Sequence, residues 1–237
     1  MKLDYTLTDN SNGKPTIGMV VLQTDETLES EFRHYFTADD WDIYVSRVPN
    51  DDEVTPDTLG AMEHHLTAAA TLLPRHLSYD AVAYGCTSGT SVIGEGKVRD
   101  CIREGCNTTT VTNPISALLW KCKDRDIRQL AFISPYIDEV NTPLRNLLAE
   151  NGVATDHFGS FEESNDNRVA QISADSIVNA GIRVCKGQNV DGLFLSCTNL
   201  KTLEAIPRLE EALGIPVFSS NSVMADHVKT LARGQQS

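Results

Sequence analysis

Short apolar runs alternate along this chain with stretches whose apolar residues recur every three to four positions, the pattern of parallel α/β architecture. The runs predict strands at 16–22, 42–48, 81–84, 108–111, 130–134, 153–158, 192–195 and 217–219. Helices between them carry their own signals. Thr55-Pro56-Asp57 supplies an N-cap, a first-turn proline and a first-turn acid. Behind it Leu59, Met62, Leu66, Ala69 and Leu73 fall on one face. A second helix carries Leu144, Leu147 and Leu148 and stops at Asn151-Gly152, a left-handed C-terminal cap. Gly214 ends a third, whose expected buried side holds Leu203, Ile206 and Leu213. Residues 1–15 form a polar opening with the turn pair Asn12-Gly13, and the last four residues, from Gly234 to Ser237, are expected to fray.

The pattern also repeats. Ile17-Gly18-Met19-Val20-Val21 followed by Asp25-Glu26 echoes Leu130-Ala131-Phe132-Ile133-Ser134 followed by Asp138-Glu139. Asp80-Ala81, four residues and Cys86-Thr87 echo Asp191-Gly192, four residues and Cys197-Thr198. Thr112-Asn113 with Ser116-Ala117 resembles Ser220-Asn221 with Met224-Ala225. Three matches in one order, each offset by about 110 residues, predict two similar lobes. Each should hold about four strands, with lobe 1 at 16–125 carrying Cys86 and lobe 2 at 126–233 carrying Cys197. The C-terminal helix is free to exchange between them.

Composition narrows the function classes. The 237 residues are 41% hydrophobic and 22% charged, enough for a well-buried core. A formal net charge of −13 with no basic stripe argues against nucleic acid as a partner. No apolar run approaches the roughly 20 residues that span a bilayer, and the start lacks a signal-peptide pattern, so neither membrane nor export is expected and a cytoplasmic location is. Six cysteines in such a chain read as reduced thiols. No C-x-x-C pair or finger-spaced histidines suggest a metal site, and the neighbours Glu63-His64-His65 point apart on a helix. Gly94-Glu95-Gly96 is a lone G-x-G and reads as a turn.

The candidate chemistry lies in the two Cys-Thr pairs. Both follow a hydrophobic strand directly, at the carboxyl edge where parallel sheets bind ligands. The small-residue turns 85–90 and 196–199 should present N–H groups and hydroxyls to a carboxylate, and the same field should lower a thiol's pKa. A lone cysteine at a strand end is usually a small buried hydrophobe, which accounts for Cys101, Cys106, Cys122 and Cys185. It does not account for Cys-Thr recurring at equivalent points of a repeat. A pseudo-twofold relation would bring both sulfurs to one cleft.

On Tyr84-Gly85-Cys86-Thr87-Ser88-Gly89-Thr90, Ser134-Pro135-Tyr136, Leu195-Ser196-Cys197-Thr198-Asn199-Leu200 and Ser219-Ser220-Asn221, the chain resembles the aspartate/glutamate racemase superfamily. The similar branch holds maleate cis-trans isomerase, arylmalonate decarboxylase and ectoine-utilisation proteins. The opening 22–29, Leu-Gln-Thr-Asp-Glu-Thr-Leu-Glu, looks closest to the ectoine-utilisation group. The resemblance implies two pseudo-symmetric flavodoxin-like lobes with four-stranded parallel sheets flanked by helices. It also implies a small carboxylic acid or amino acid held between them, no metal or organic cofactor, and a homodimer by analogy. Cys86 and Cys197 match the family's two cysteines, and Tyr136 matches a tyrosine that touches substrate. Asn165 and Asn167 lie where maleate isomerases carry a substrate-binding asparagine, with Asn167 the candidate. Asp25 stands where those enzymes have another asparagine. Its carboxylate counts against maleate itself and would accept a substrate ammonium, hold a thiol's proton, or cap a helix before Thr27 and Leu28.

Two chemistries follow from two facing cysteines. In a racemase one removes a proton alpha to a carboxylate and the other delivers a proton to the opposite face, with Thr87, Ser88, Thr198 and Asn199 stabilising the carbanion. In a cis-trans isomerase the Cys86 thiolate adds to a double bond, the new single bond rotates, and elimination follows while Cys197 handles the proton. A decarboxylase needs only one of the two. A catalytically silent ligand-binding relative and a thiol-redox protein are the readings outside these classes.

Overall fold

The computed structural model describes residues 1–7 and 13–234. Asn12 of the expected turn and residues 235–237 of the expected frayed end lie outside the described residues. Residues 1–7 are exposed and form neither helix nor strand.

The first lobe runs β1 (Thr16–Leu22), α1 (Leu28–Tyr35), β2 (Asp42–Val48), α2 (Pro56–Ala61), α3 (Glu63–Ala70), β3 (Ala81–Gly85), α4 (Thr87–Ile93), α5 (Glu95–Gly105), β4 (Val111–Thr112) and α6 (Pro114–Asp124). The second runs β5 (Gln129–Ser134), α7 (Asp138–Glu150), β6 (Ala154–Ser160), α8 (Asp166–Val169), α9 (Ala174–Cys185), β7 (Gly192–Leu195), α10 (Ala205–Leu213), β8 (Val217–Ser219) and α11 (Ser220–Gly234). Each lobe has a four-stranded parallel sheet, ordered β2-β1-β3-β4 and β6-β5-β7-β8. The two orders are the same, as the sequence repeat requires. Ile17 pairs with Ala81 in one sheet and Leu130 with Gly192 in the other.

The central strands β1, β3, β5 and β7 are near-continuous apolar runs because helices cover both of their faces. Edge strand β2 is only partly buried. One expected strand is displaced: β4 is Val111–Thr112, not 108–111. Thr108 makes only an isolated bridge to Tyr79, and its hydroxyl bonds Tyr79 O at 3.1 Å and accepts from Thr110 N at 3.1 Å. Such local bonds compete with the ladder. The helix expected behind Thr55 has its capping box and buried face, but it breaks at Met62 into α2 and α3. The buried face of α10 is Ala205 and Leu209. Ile206 and Leu213 are half-buried beside it, and Leu203 precedes the helix. The stop at Gly214 is as expected, in the left-handed conformation at φ 68°.

The lobes share a core. Ile17, Met19 and Val21 of β1 and Leu130 and Phe132 of β5 belong to one buried cluster with residues of α1, α6, α7 and α11. Although α11 starts directly at the end of β8, it packs on α6, α1 and β3 of the first lobe. Close packing also fixes Gly85, where a Cβ would lie 2.2 Å from Leu28 Cδ2. A buried carboxylate adds a polar tie. Glu31 of α1 accepts from Thr202 N at 2.6 Å, Leu203 N at 3.2 Å, the Thr202 hydroxyl at 3.0 Å and Asn221 Nδ2 at 2.9 Å, all from the second lobe.

Removing that acceptor strands several buried donors, so Glu31→Leu should destabilise the chain by about 3 kcal/mol. Urea unfolding reads this directly. A loss below about 1 kcal/mol would mean that the tie contributes little.

Candidate active site

Four side chains follow the central strands: Asp25 after β1, Cys86 after β3, Tyr136 after β5 and Cys197 after β7. These carboxyl ends are the switch points of the two sheets, where connections leave in opposite directions and a crevice opens. Hydrogen bonds close the two lobes onto each other there. Thr198 Oγ1 donates to Gly85 O at 3.2 Å, and Thr87 Oγ1 and Ser220 Oγ are 2.8 Å apart. Ser220 Oγ also accepts from Cys197 N at 3.0 Å, so one hydroxyl joins both Cys-Thr turns.

Each sulfur is buried and receives a backbone N–H, Cys86 from Gly89 at 3.1 Å and Cys197 from Asn199 at 3.2 Å. Ser88 Oγ lies 3.8 Å from Cys86 Sγ. The expectation of lowered thiol pKa values fails. Burial pushes Cys86 up to about 12, against the opposing pull of the Gly89 N–H and the Ser88 hydroxyl. Burial and the Asp166 charge push Cys197 well above the ordinary thiol range. N–H groups at a turn cannot offset the loss of water around a fully enclosed sulfur. Both cysteines are therefore thiols at rest. All six cysteines are free.

Tyr136 is the hub. Its hydroxyl lies 2.9 Å from Cys197 Sγ and donates to Asp166 Oδ1 at 3.1 Å. Burial and the nearby Asp166, Cys197 and Cys86 raise its pKa well above 10. Asp166 also accepts from Thr24 Oγ1 at 2.6 Å, and its carbonyl oxygen accepts from Asn199 Nδ2 at 3.0 Å. Asp166, one residue before the candidate Asn167, is not among the residues singled out from the sequence. Asn165 is instead the N-cap of α8, accepting from Arg168 N at 3.1 Å. Asn167 is half-buried, and among the described residues no hydrogen bond links it to the cluster. The capping signal of Asn165 was the clue, because a cap points its side chain at its own helix.

Asp25 does two things. Its Oδ1 accepts from Thr27 N at 2.9 Å and Leu28 N at 2.7 Å, the helix-capping role. Its Oδ2 is buried without a partner. Burial raises the carboxyl to about 6, against the lowering pull of the Leu28 and Thr27 N–H groups. The Thr198 hydroxyl gives its one proton to Gly85 O and leaves the Asp25 Oδ2 unserved. Asn199 is engaged at both ends of its amide, with Oδ1 accepting from Glu26 N at 2.9 Å.

A strap covers the cluster. Val54 N donates to Ser164 O at 2.7 Å and Asp166 N to Asp52 O at 2.9 Å, joining the lobes above Tyr136. The cavity left beside Ser88, Met62 and Tyr136 is about 10 Å³, room for roughly one water. A wider cleft of about 360 Å³, between α1 and the residues around Gln171 and Lys201, contains neither cysteine. Among the described residues no group of three or more His, Cys, Asp or Glu is placed to hold a metal.

The family model described as arylmalonate decarboxylase matches residues 98–236, more than half of the chain. The chain belongs to the arylmalonate decarboxylase family. It thereby falls in the aspartate/glutamate racemase-like branch named from its motifs. It is 34% identical over 119 residues to arylmalonate decarboxylase of Bordetella bronchiseptica, which is 49% of this chain and 47% of that protein. The match thus spans about half the length of that curated relative. Maleate isomerase of Alcaligenes faecalis is 22% identical over 219 residues, covering 86% of this chain and 85% of that one. Among solved structures, a liganded double mutant of arylmalonate decarboxylase superposes with a TM-score of 0.80 at 26% identity, covering 93% and 94% of the two chains. A Nocardia farcinica maleate cis-trans isomerase with a bound succinylcysteine intermediate also gives 0.80, at 21% identity and the same coverage, which speaks for the fold.

The raised Asp25 pKa sets a pH dependence. The folded chain holds this proton up to about pH 6 and the unfolded chain only to about 3.8, so this contribution to stability is full below 3.8 and is lost as pH rises to about 6. Asp25→Asn removes it and should gain about 2 kcal/mol relative to the parent between pH 4 and pH 7. Urea unfolding of both proteins at the two pH values measures the gap, in which the Glu31 contribution cancels. A gap independent of pH would show that Asp25 ionises normally.

Proposed function

We propose that this chain is a two-cysteine racemase or isomerase of a small carboxylic acid or amino acid, with Cys86 and Cys197 as its acid/base pair. The carrying observation is that two buried thiols stand at equivalent strand ends of two like lobes, both within electrostatic reach of Tyr136. One thiolate takes the proton alpha to the substrate carboxylate, and the other thiol returns a proton to the opposite face. The hydroxyls and N–H groups of Thr87, Ser88, Thr198 and Asn199 would hold the substrate carboxylate and the charge that develops on it. Asn167, half-buried on α8, would reach a bound substrate from that side. The unpartnered Asp25 oxygen favours a substrate with an ammonium group, which would satisfy it. With a diacid such as maleate the same oxygen would repel, unless it carried a proton. The opening 22–29 keeps amino acids of ectoine-type catabolism, such as diaminobutyrate derivatives, among the candidates.

A second reading has its own support. The family match covers Cys197 but not Cys86, and a decarboxylase needs a single cysteine to protonate the enediolate left by carbon dioxide. Cys197 with Tyr136 would supply that proton.

Proton NMR in heavy water on aspartate, glutamate, diaminobutyrate derivatives, maleate and an arylmalonate separates the readings. Loss of an alpha-proton signal that disappears in both Cys86→Ala and Cys197→Ala, by at least about a hundredfold, is the expected outcome for the pair. Decarboxylation that survives Cys86→Ala and dies in Cys197→Ala would replace it with the second reading. Melting shifts without turnover would mean a binding protein.

A further inference from the structure

Cys197 cannot simply lose its proton to water. Its sulfur is enclosed, and Asp25 and Asp166 already bring negative charge against it. Cys86 lies near the same phenol, and Asp52 faces Asp166 across the strap. On the Asp166 element itself, Arg168 is paired outward with Glu163 at 2.9 Å. Among the described residues neither Asp25 nor Asp166 takes part in an ion pair. A third negative charge here would be buried without compensation.

The hydrogen bonds offer another route. The Tyr136 hydroxyl has one proton, and it points to Asp166 Oδ1. Its oxygen therefore accepts the S–H of Cys197, 2.9 Å away. Thr24 Oγ1, 2.6 Å from Asp166 Oδ2, holds the carboxyl in place. We propose that Asp166 is the proton store for Cys197, reached through Tyr136. The Cys197 S–H bond breaks as its proton joins the Tyr136 oxygen. The Tyr136 O–H bond breaks as its proton forms an O–H bond on Asp166, and the electron pair stays on sulfur. No charge enters or leaves the site; one negative charge moves from carboxylate to thiolate. Run in reverse, the chain reloads the thiol after it has given its proton to substrate. Asp166 is a positioning and proton-holding residue that acts through Tyr136. This role rests on Cys197 being an acid/base group, but its test needs no substrate.

The thiol–carboxylate pair and the thiolate–carboxylic acid pair hold the same number of protons, so their ratio does not depend on pH. Iodoacetamide alkylation of Cys197, followed by peptide mass spectrometry from pH 7 to pH 9, reads the thiolate fraction. In the parent the rate should vary by less than about threefold. In Asp166→Asn and in Tyr136→Phe it should climb about tenfold per pH unit, as for an isolated thiol below its pKa. Unchanged circular dichroism of the same samples shows that each variant is folded. A merely electrostatic Asp166 would raise the rate at every pH in Asp166→Asn without changing the slope. A tenfold slope in the parent, or a flat profile kept by both variants, overturns the relay.

Discussion

Two parallel sheets that meet at their carboxyl ends bury polar turns against each other, and every buried donor and acceptor there needs a partner. In this chain many of those partners come from the opposite lobe. The Asn199 amide serves Glu26 N of the first lobe and Asp166 O of the second, Thr198 reaches Gly85, and Thr24 holds Asp166. The Thr27 hydroxyl completes the set by donating to Asn199 O at 2.9 Å. Neither Cys-Thr turn is thus positioned by its own lobe alone. The shared apolar cluster brings the sheets together, and the cross-lobe hydrogen bonds decide how the two thiols are aimed.

The pseudo-symmetry is one of sheet topology and not of charge. Cys86 has neutral hydrogen-bonding neighbours in Ser88, Gly89 and Tyr84 and feels the Asp166 charge only as a lesser effect. Cys197 faces Tyr136 with two carboxyls behind it. A substrate held between the two thiols, as proposed, would meet a less charged face on one side and a carboxyl-bearing face on the other. Equal cysteines with unequal surroundings are what acid/base chemistry in two directions needs, because each proton must have a source and a sink. The orphaned Asp25 oxygen belongs to the same charged face.

Much of this was legible in the chain because hydrophobic period and repeat report on packing. The runs in β1, β5 and β7 are apolar on both faces, and only a central parallel strand requires that. The repeat announced equal sheets with two equivalent cysteines before any coordinate. What sequence could not supply was register and solvent. The place of Asp166 in the cluster is invisible in the sequence without the cap that Asn165 makes. The thiol pKa values go the opposite way because both sulfurs are enclosed between two lobes whose contacts are remote in sequence. The face of α10 shifted because its neighbours, not its own periodicity, chose Ala205 and Leu209.

The backbone at Cys197 completes the contrast between the lobes. Cys86 is extended at φ −151°, whereas Cys197 sits at φ 121°, a region that side-chain-bearing residues rarely occupy. Holding it there costs on the order of 1–3 kcal/mol. Three contacts offset that cost: Cys197 N to Ser220, Asn199 N to the sulfur, and the sulfur to Tyr136. Ser220 is the first residue of α11, the helix that leaves the second sheet to pack on the first lobe. The helix that joins the lobes therefore also seats the strained cysteine. Loosening that helix would release the turn and withdraw the sulfur from Tyr136, which ties the chemistry of Cys197 to the assembly of both halves.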